Sequence, residues 1–271
     1  DGLPVGAPQQ VNSTTELTQT KPHVAALADG GYVVTWTFAQ QIATFPGSLP
    51  GVAARRYSAA GAPTGPEETV SSSFFVTDSA VTGLANGGYV VPWSVTSRTT
   101  IYVYTQGFDA SGARVDGITQ VTDFGESPAV AGLNGGGYVL TWRALDGFVQ
   151  AQRYAASGSP LGAAARVDPS AGQQSDPSVA ALADGGYVVS WVVASGGATG
   201  MDVYAQRYAA DGMPVGGVTP VNTTTASDQR SPVVIAPGAA GSVLVAWMSL
   251  NQDGDSWGIY ARQFGALGTL P

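Results

Sequence analysis

The sequence predicts an all-β chain folded as a single five-bladed β-propeller, and three observations carry this prediction. The motif "LADGGYVVTW" at 27–36 recurs at 84–93, 133–142 and 182–191, and in degraded form at 238–247. Its closing tryptophans are 49–57 residues apart, a period typical of propeller blades made of several short strands. Glycine is abundant, at 37 residues, and only 11% of residues are charged, as expected for turn-rich β-structure.

The fourth unit shows how one repeat divides into the four antiparallel strands of a blade. An alanine-rich first strand at 177–185 meets a second strand at 186–191 in an Asp-Gly-Gly turn, where glycine supplies the positive φ that tight hairpins need. A third strand at 203–208 and a fourth at 215–222 follow. Three hairpin-linked strands and a fourth make a blade-sized sheet.

The same division gives one domain, 1–271, with the blades at 22–72, 73–122, 126–168, 176–222 and 230–264. The N-terminal "DGLPVGAPQQVN" at 1–12 resembles the last turn and fourth strand of a blade, "DGMPVGGVTPVN" at 211–222. We therefore expect residues 4–11 to supply the outer strand of the fifth blade. Such a strand would close the ring and leave no long exposed edge.

Composition excludes several classes of function. The formal charge is −8 and the pI about 4.4, with one lysine and ten arginines, so we expect no nucleic-acid partner. The absence of cysteine excludes disulfides, thiolate nucleophiles and cysteine metal sites. A single histidine, His23, cannot build the usual zinc site. No apolar run is long enough to span a membrane, and we expect a monomer.

Three segments carry a resemblance to a known repeat. "GGYVVxW", "xYAQRYxAxGxPVG" and "VNTTTxxxQxxP" resemble the tandem repeats of large secreted bacterial RTX-type proteins, also called haemolysin-type or adhesin-like proteins. The architecture is also similar to five-bladed lectin propellers of the tachylectin kind. The resemblance implies a secreted or cell-surface bacterial protein with an extracellular ligand, and carbohydrate is the expected one.

Loop variability suggests which face of the propeller binds a ligand. The first-to-second and third-to-fourth turns are uniform and lie on one face, whereas the second-to-third loops and the linkers differ between blades, and function usually sits on variable loops. The ligand-binding candidates on that variable-loop face are Gln41, Phe45, Gln229, Gln252 and Trp257. Two structural alternatives stay open: Trp257 packs under its own loop, and Gln229 satisfies backbone groups, as do Gln19 and Gln174.

The acidic loop of the fifth unit is the candidate metal site. Asn251, Asp253 and Asp255 alternate around Gly254, and hard cations such as calcium take several oxygen ligands on a tight turn. The alternative is a solvated turn, since Asp, Asn and Gly are ordinary turn residues. The fold is expected to need no cofactor, and calcium is the ion that this loop would take.

Five arginines fall in predicted third strands: Arg55, Arg56, Arg153, Arg207 and Arg262. Their repetition favours a scaffold role, with hydrogen bonds to neighbouring carbonyls or carboxylates. A ring of ligand-binding arginines is the alternative.

These features predict a non-enzymatic, secreted or cell-surface binding module for carbohydrate, of lectin or adhesin type, that uses the variable-loop face. One alternative is a structural spacer domain of a larger adhesin-like protein. The other is a glycoside hydrolase, which needs only two carboxylates. Its candidates are Asp146, Asp202 and Asp253.

Overall fold

The structure, a computed structural model, is an all-β propeller fold with five antiparallel sheets in chain order. It describes residues 6–15, 18–41, 48–72, 75–97, 100–122, 124–169, 172–194, 200–237 and 241–267. None of these residues belongs to a helix long and apolar enough to cross a membrane. The predicted fold class is confirmed.

Each of the first four sheets has the strand order of a propeller blade, with the first strand in sequence at one edge and the last at the other. The first blade contains β1 (Gln19–Ala26), β2 (Tyr32–Gln41), β3 (Ser48–Tyr57) and β4 (Glu68–Ser71). The second contains β5 (Val76–Ser79), β6 (Thr82–Gly83), β7 (Tyr89–Thr96), β8 (Ile101–Phe108) and β9 (Arg114–Thr122). The third contains β10 (Gly125–Gly132), β11 (Tyr138–Ala144), β12 (Val149–Tyr154) and β13 (Pro160–Arg166). The fourth contains β14 (Gln174–Ala181), β15 (Tyr187–Ala194), β16 (Met201–Tyr208) and β17 (Pro214–Pro220). The fifth contains β18 (Gln229–Ile235), β19 (Ser242–Leu250) and β20 (Trp257–Ala266).

The turn between the first two strands of a blade forms as the sequence predicts. In the fourth blade the Leu182 amide donates to the Gly186 carbonyl at 2.8 Å, and Gly185 has a φ of +85°. The Asp184 carboxylate accepts the Gly186 amide at 3.0 Å. Glycine and aspartate are therefore required together here, one for the backbone conformation and the other to satisfy an amide inside the turn.

The first strand of each blade, which we call its inner strand, has a kink at the end nearest the variable loops. The strand register shifts at this point in each blade, and in four blades a non-glycine residue just before a proline has positive φ. These residues are Lys21, Ser127, Asp176 and Ser231. A bulge of this kind redirects side chains and is frequent near functional sites.

Each of the first four seams between consecutive blades contains one apolar core, and each core contains one repeat tryptophan. Trp93 lies between the first and second blades and Trp142 between the second and third. Trp191 lies between the third and fourth blades and Trp247 between the fourth and fifth. The repeat motif thus contributes to each of these seams, because its tryptophan packs against the neighbouring blade.

Among the described residues, the fifth blade gains no outer strand. Residues 6–11 form no strand, and 4–5 lie outside the described residues. The N-terminal segment is held by the first blade instead: Arg55 Nη1 donates to the Val11 carbonyl at 2.8 Å, and the Ser13 amide donates to Glu67 Oε2 at 2.7 Å. Pro8 also lacks the amide that a ladder requires. The prediction that residues 4–11 close the ring is therefore corrected for 6–11, the part that the structure describes.

The seam between the fifth blade and the first differs from the other four. Within the described ranges, no apolar core joins these two blades. Val24 on β1 is 67% exposed, and Ile259 on β20 is 75% exposed. The faces of these two blades that would meet in a closed ring are therefore open to solvent.

Candidate functional site

Two adjacent cavities on the variable-loop face form the best candidate site. One, of about 170 Å³, is lined by Glu126, Arg143 and Asp176 among others. Its neighbour, of about 190 Å³, shares Glu126 and Arg143 and adds Phe124 and Leu145. We call the pair the carboxylate cleft. It lies where the inner strands β10 and β14 begin, at the kinks described above.

Arg143 divides the carboxylate cleft and is fixed in place from both sides. Its Nη1 lies 2.5 Å from Glu126 Oε1, and its Nε donates to the Gln174 carbonyl at 2.9 Å. Gln174 is buried, and its side chain accepts the Val149 amide at 2.9 Å and donates to the Asp168 carbonyl at 2.7 Å. The guanidinium is thus anchored across the seam between the third and fourth blades, so the position of Glu126 is defined as well.

Asp176 is the second carboxylate of the cleft. It occupies the kink of β14 with a φ of +50°, and its Oδ2 accepts the Ser231 amide of the next inner strand at 3.4 Å. The kink therefore holds Asp176 at the end of the inner strand, in the cavity that Glu126 also lines. Two carboxylates in one cavity are the minimum equipment for general acid and base chemistry on a glycosidic bond.

The second cavity supplies an apolar surface next to these charges. Phe124 is 42% exposed and Leu145 is 74% exposed, and Ile101 also lines this cavity. An accessible aromatic ring beside polar groups suits the apolar face of a sugar. The carboxylate cleft thus combines charged and apolar contacts.

His23 lies near the corresponding ends of the first two inner strands. Burial lowers the pKa of His23, and the Asp78 carboxylate partly offsets this effect. Lys21 Nζ donates to the Thr77 carbonyl at 2.6 Å and lies 3.7 Å from Asp78 Oδ1. Across the described ranges, no three His, Cys, Asp or Glu side chains come together as metal ligands.

Of the five predicted ligand-binding residues, Gln229 needs correction because it is fully buried. Its Oε1 accepts the Trp247 indole Nε1 at 3.1 Å, and its amide donates to the Ala226 carbonyl at 3.4 Å. It therefore belongs to the core, which was the alternative for this position. Gln41 ends β2, Phe45 lies outside the described residues, and neither can be placed in a site.

Trp257 and Gln252 lie together on the fifth blade, away from the carboxylate cleft. Trp257 is 38% exposed, and the Arg230 guanidinium lies 5.8 Å from its ring centre. Gln252 Oε1 accepts the Ser249 hydroxyl at 2.8 Å. Both contacts stay within the fifth blade, and a role in ligand binding stays a prediction.

The proposed calcium loop forms a compact turn between β19 and β20. The Asn251 amide donates to the Ser256 carbonyl at 2.6 Å, and Asp253 Oδ1 accepts the Asp255 amide at 3.4 Å. Asn251 has a φ of +58° and Gly254 one of +96°. These contacts explain the Asn, Asp and Gly content of the loop as turn chemistry. Calcium binding stays a prediction.

The three aspartates considered for hydrolysis lie on three different blades and are not brought together. Asp146 pairs with Arg166 at 2.9 Å on the third blade. Asp202, on the fourth, is buried and accepts a hydrogen bond from Asn222 at 2.6 Å. Asp253 lies in the turn of the fifth. Sequence reasoning missed Glu126 and Asp176, although "ESP" and "SDP" mark both at the start of an inner strand.

Comparison with known proteins places the chain by its fold. No family model matches the sequence, and no curated protein does either. A protein of unknown function from Dyadobacter fermentans has a similar structure, with a TM-score of 0.63 at 15% identity over 95% of this chain and 79% of that one. An α-L-arabinanase from Penicillium chrysogenum, solved with arabinobiose, gives 0.55 at 12% identity over 88% and 80%. A Hadza microbial sialidase gives 0.56 at 12% identity over 92% of this chain and 57% of that one.

These likenesses correct the functional prediction. Both of these similar structures whose activity is named are carbohydrate-cleaving enzymes, and the expected non-enzymatic binding module finds no counterpart in them. The prediction of a non-enzymatic chain is therefore replaced, and the enzymatic alternative is developed as a proposal below. Asp146, Asp202 and Asp253, the aspartates predicted from the sequence, do not line the carboxylate cleft, whereas Glu126 and Asp176 lie where two inner strands kink. At these identities the likeness itself establishes the propeller fold, and the RTX resemblance stays a prediction.

Proposed function

We propose that the chain is a glycoside hydrolase whose active site is the carboxylate cleft. The observation that carries this proposal is that Glu126 and Asp176 line one cavity beside Arg143. The similar arabinanase and sialidase structures support the choice of a glycan as substrate.

The surroundings of the two carboxylates suggest different roles for them. Arg143 compensates the charge of Glu126 at 2.5 Å, which suits a group that acts as nucleophile or base. Asp176, whose hydrogen bond from the Ser231 amide is long at 3.4 Å, is then left as the acid that protonates the leaving oxygen. Phe124 and Leu145 would support the apolar face of the sugar next to the bond that is cleaved.

The test is hydrolysis of a panel of glycosides by the purified chain, including arabinan, aryl arabinofuranosides and aryl sialosides. E126Q and D176N should each lower kcat by about 10²–10⁴-fold, the usual contribution of an acid or base. D255N, which changes an exposed carboxylate on another blade, is the matched control and should keep full activity.

A second measurement separates the two roles. A dinitrophenyl leaving group departs without a proton, so D176N should lose much less activity on a dinitrophenyl glycoside than on the natural linkage, whereas E126Q should lose activity on both. A wild-type chain inactive on the whole panel would overturn the proposal. So would normal activity in both folded variants.

A further inference from the structure

The outer part of a seam between two blades is filled by an arginine from the third strand. Arg56 Nη2 donates to Asp29 Oδ2 at 2.8 Å in its own blade, and Nη1 donates to the Ala110 carbonyl in the second blade. Arg207 repeats both contacts, with the aspartate of its own turn and with a carbonyl of the fifth blade. For Arg56 and Arg207 the predicted scaffold role is confirmed, since each links the uniform turns of two neighbouring blades.

The second blade lacks this arginine. The aligned residues of the five third strands are Arg56, Gly107, Arg153, Arg207 and Gln263. Because Gly107 has no side chain, the seam between the second and third blades contains a cavity of about 500 Å³, within the usual range for small-molecule sites. In the next seam, where Arg153 is present, the corresponding cavity is about 140 Å³.

A second substitution in the same strand adds a polar group to the cavity wall. Thr105 stands where the other four third strands have alanine: Ala54, Ala151, Ala205 and Ala261. Thr105 and Gly107 are two residues apart in β8 and so share a face. The Thr105 side chain hydrogen-bonds Tyr138 of the third blade. Both side chains line the cavity and are at least nine-tenths buried.

A third substitution places a carboxylate in the cavity at a cost in backbone energy. Asp116 occupies a kink in β9 with a φ of +57°, where the first, third and fourth blades have Gly65, Gly162 and Gly216. Left-handed backbone is unfavourable for any residue with a side chain, although Asp tolerates it better than most. Glycine would relieve that strain, so the fold alone does not explain Asp116, which lines the cavity.

The charged side chains that line the cavity are acidic. Asp109 and Asp116 line it, and no Lys, Arg or His stands among its described lining residues. The Ser111 hydroxyl, together with backbone amides, lowers the pKa of Asp109, so this carboxylate is ionised at neutral pH. Burial raises the pKa of Tyr138 to about 12, so its hydroxyl stays neutral and accepts or donates hydrogen bonds.

We propose that this cavity, the blade 2–3 pocket, binds a small ligand with a guanidinium group. The ligand head would occupy the space that an arginine side chain fills in the neighbouring seams. There it meets the carboxylates of Asp109 and Asp116, the Thr105 hydroxyl and the backbone of the 156–158 turn, next to the Phe108 ring. The site lies on the face opposite the carboxylate cleft, so it is independent of the proposed hydrolysis.

The test is calorimetric titration of the chain with agmatine, a guanidinium compound without a carboxylate, and with N-carbamoylputrescine, in which an uncharged urea group replaces the guanidinium of agmatine. Agmatine should bind to the wild type, and N-carbamoylputrescine should not. G107R restores the repeat arginine where an added Cβ comes no closer than 3.8 Å to a neighbour, and it should abolish binding. D116G restores the repeat glycine and should weaken binding at least tenfold.

G217R is the matched control, because it adds an arginine to an outer strand of the fourth blade where a Cβ meets open space. It should bind agmatine as the wild type does. Shifts of the Gly107 and Asp116 amide resonances on titration would place the ligand in the pocket. Absence of agmatine binding to the wild type would overturn the proposal, as would equal binding to folded G107R or to D116G.

Discussion

The second and fourth blades come from the same repeat, yet one seam is hollow and the other is filled. Arg207 joins the fourth blade to the fifth through a carboxylate and a carbonyl, whereas Gly107 leaves the seam after the second blade open. Both seams keep an apolar core with its repeat tryptophan. The cores therefore hold the blades together, and the outer seam is free to change.

The first test of this comparison weakens the apolar core of one seam, since each of the four seams has a core of this kind. Trp191 is fully buried between the third and fourth blades. W191A should lower the free energy of unfolding by about 3–5 kcal/mol, measured by denaturant titration. A loss under about 1 kcal/mol would mean that the polar outer seam, and not the core, holds these blades together.

The second way is to empty a filled seam. R207G should cost about 1–3 kcal/mol, because it removes a charge-assisted pair and leaves a void; half of Asp184 is exposed to water, which limits the loss. The R207G variant creates a void like that of the blade 2–3 pocket. It still has Ala205 and Gly216 at the positions where that pocket has Thr105 and Asp116. It should therefore not bind agmatine, and binding would show that a void alone is sufficient.

The fold could be predicted from the sequence because the turns and the seam tryptophans are local features that recur at similar spacing. The outer strand predicted at 4–11 is absent from its described part, 6–11, for a different reason. Similarity to 211–222 reports which repeat element the segment came from, but Arg55 and Glu67 determine where it docks.

The candidate site was harder to predict than the fold. Glu126 and Asp176 come from different blades, and their shared cavity depends on two backbone kinks. The blade 2–3 pocket was visible in principle, since aligning the third strands reveals Gly107 among arginines. A missing side chain is a weak signal, however, until the void around it is known.

The third prediction fills the hollow seam. G107R should raise the free energy of unfolding by about 1 kcal/mol, since it adds charge-assisted hydrogen bonds and reduces the freedom of the unfolded chain at a glycine. Thermal unfolding of G107R and of the G217R control measures this effect. A destabilised G107R would mean that the two seams differ in backbone geometry, and not only in one side chain.

The smallest expected effect is the acid sensitivity of a filled seam. The Gly186 amide, and then Arg207, lower the pKa of Asp184 below its usual value near 3.8. Because the folded pKa is the lower one, Asp184 contributes stability above pH 3.8, and this contribution is lost as the pH falls through the folded pKa. D184N keeps an acceptor for the turn, as Asn86 does with the Gly88 amide at 3.0 Å, but it cannot titrate. Between about pH 5 and 2, unfolding free energies should fall less steeply in D184N than in the wild type.

N86D adds an aspartate where no arginine faces it, so it should add less acid sensitivity than Asp184 provides. An equal effect in both seams would show that the turn amide alone sets this pKa and that Arg207 adds nothing to it.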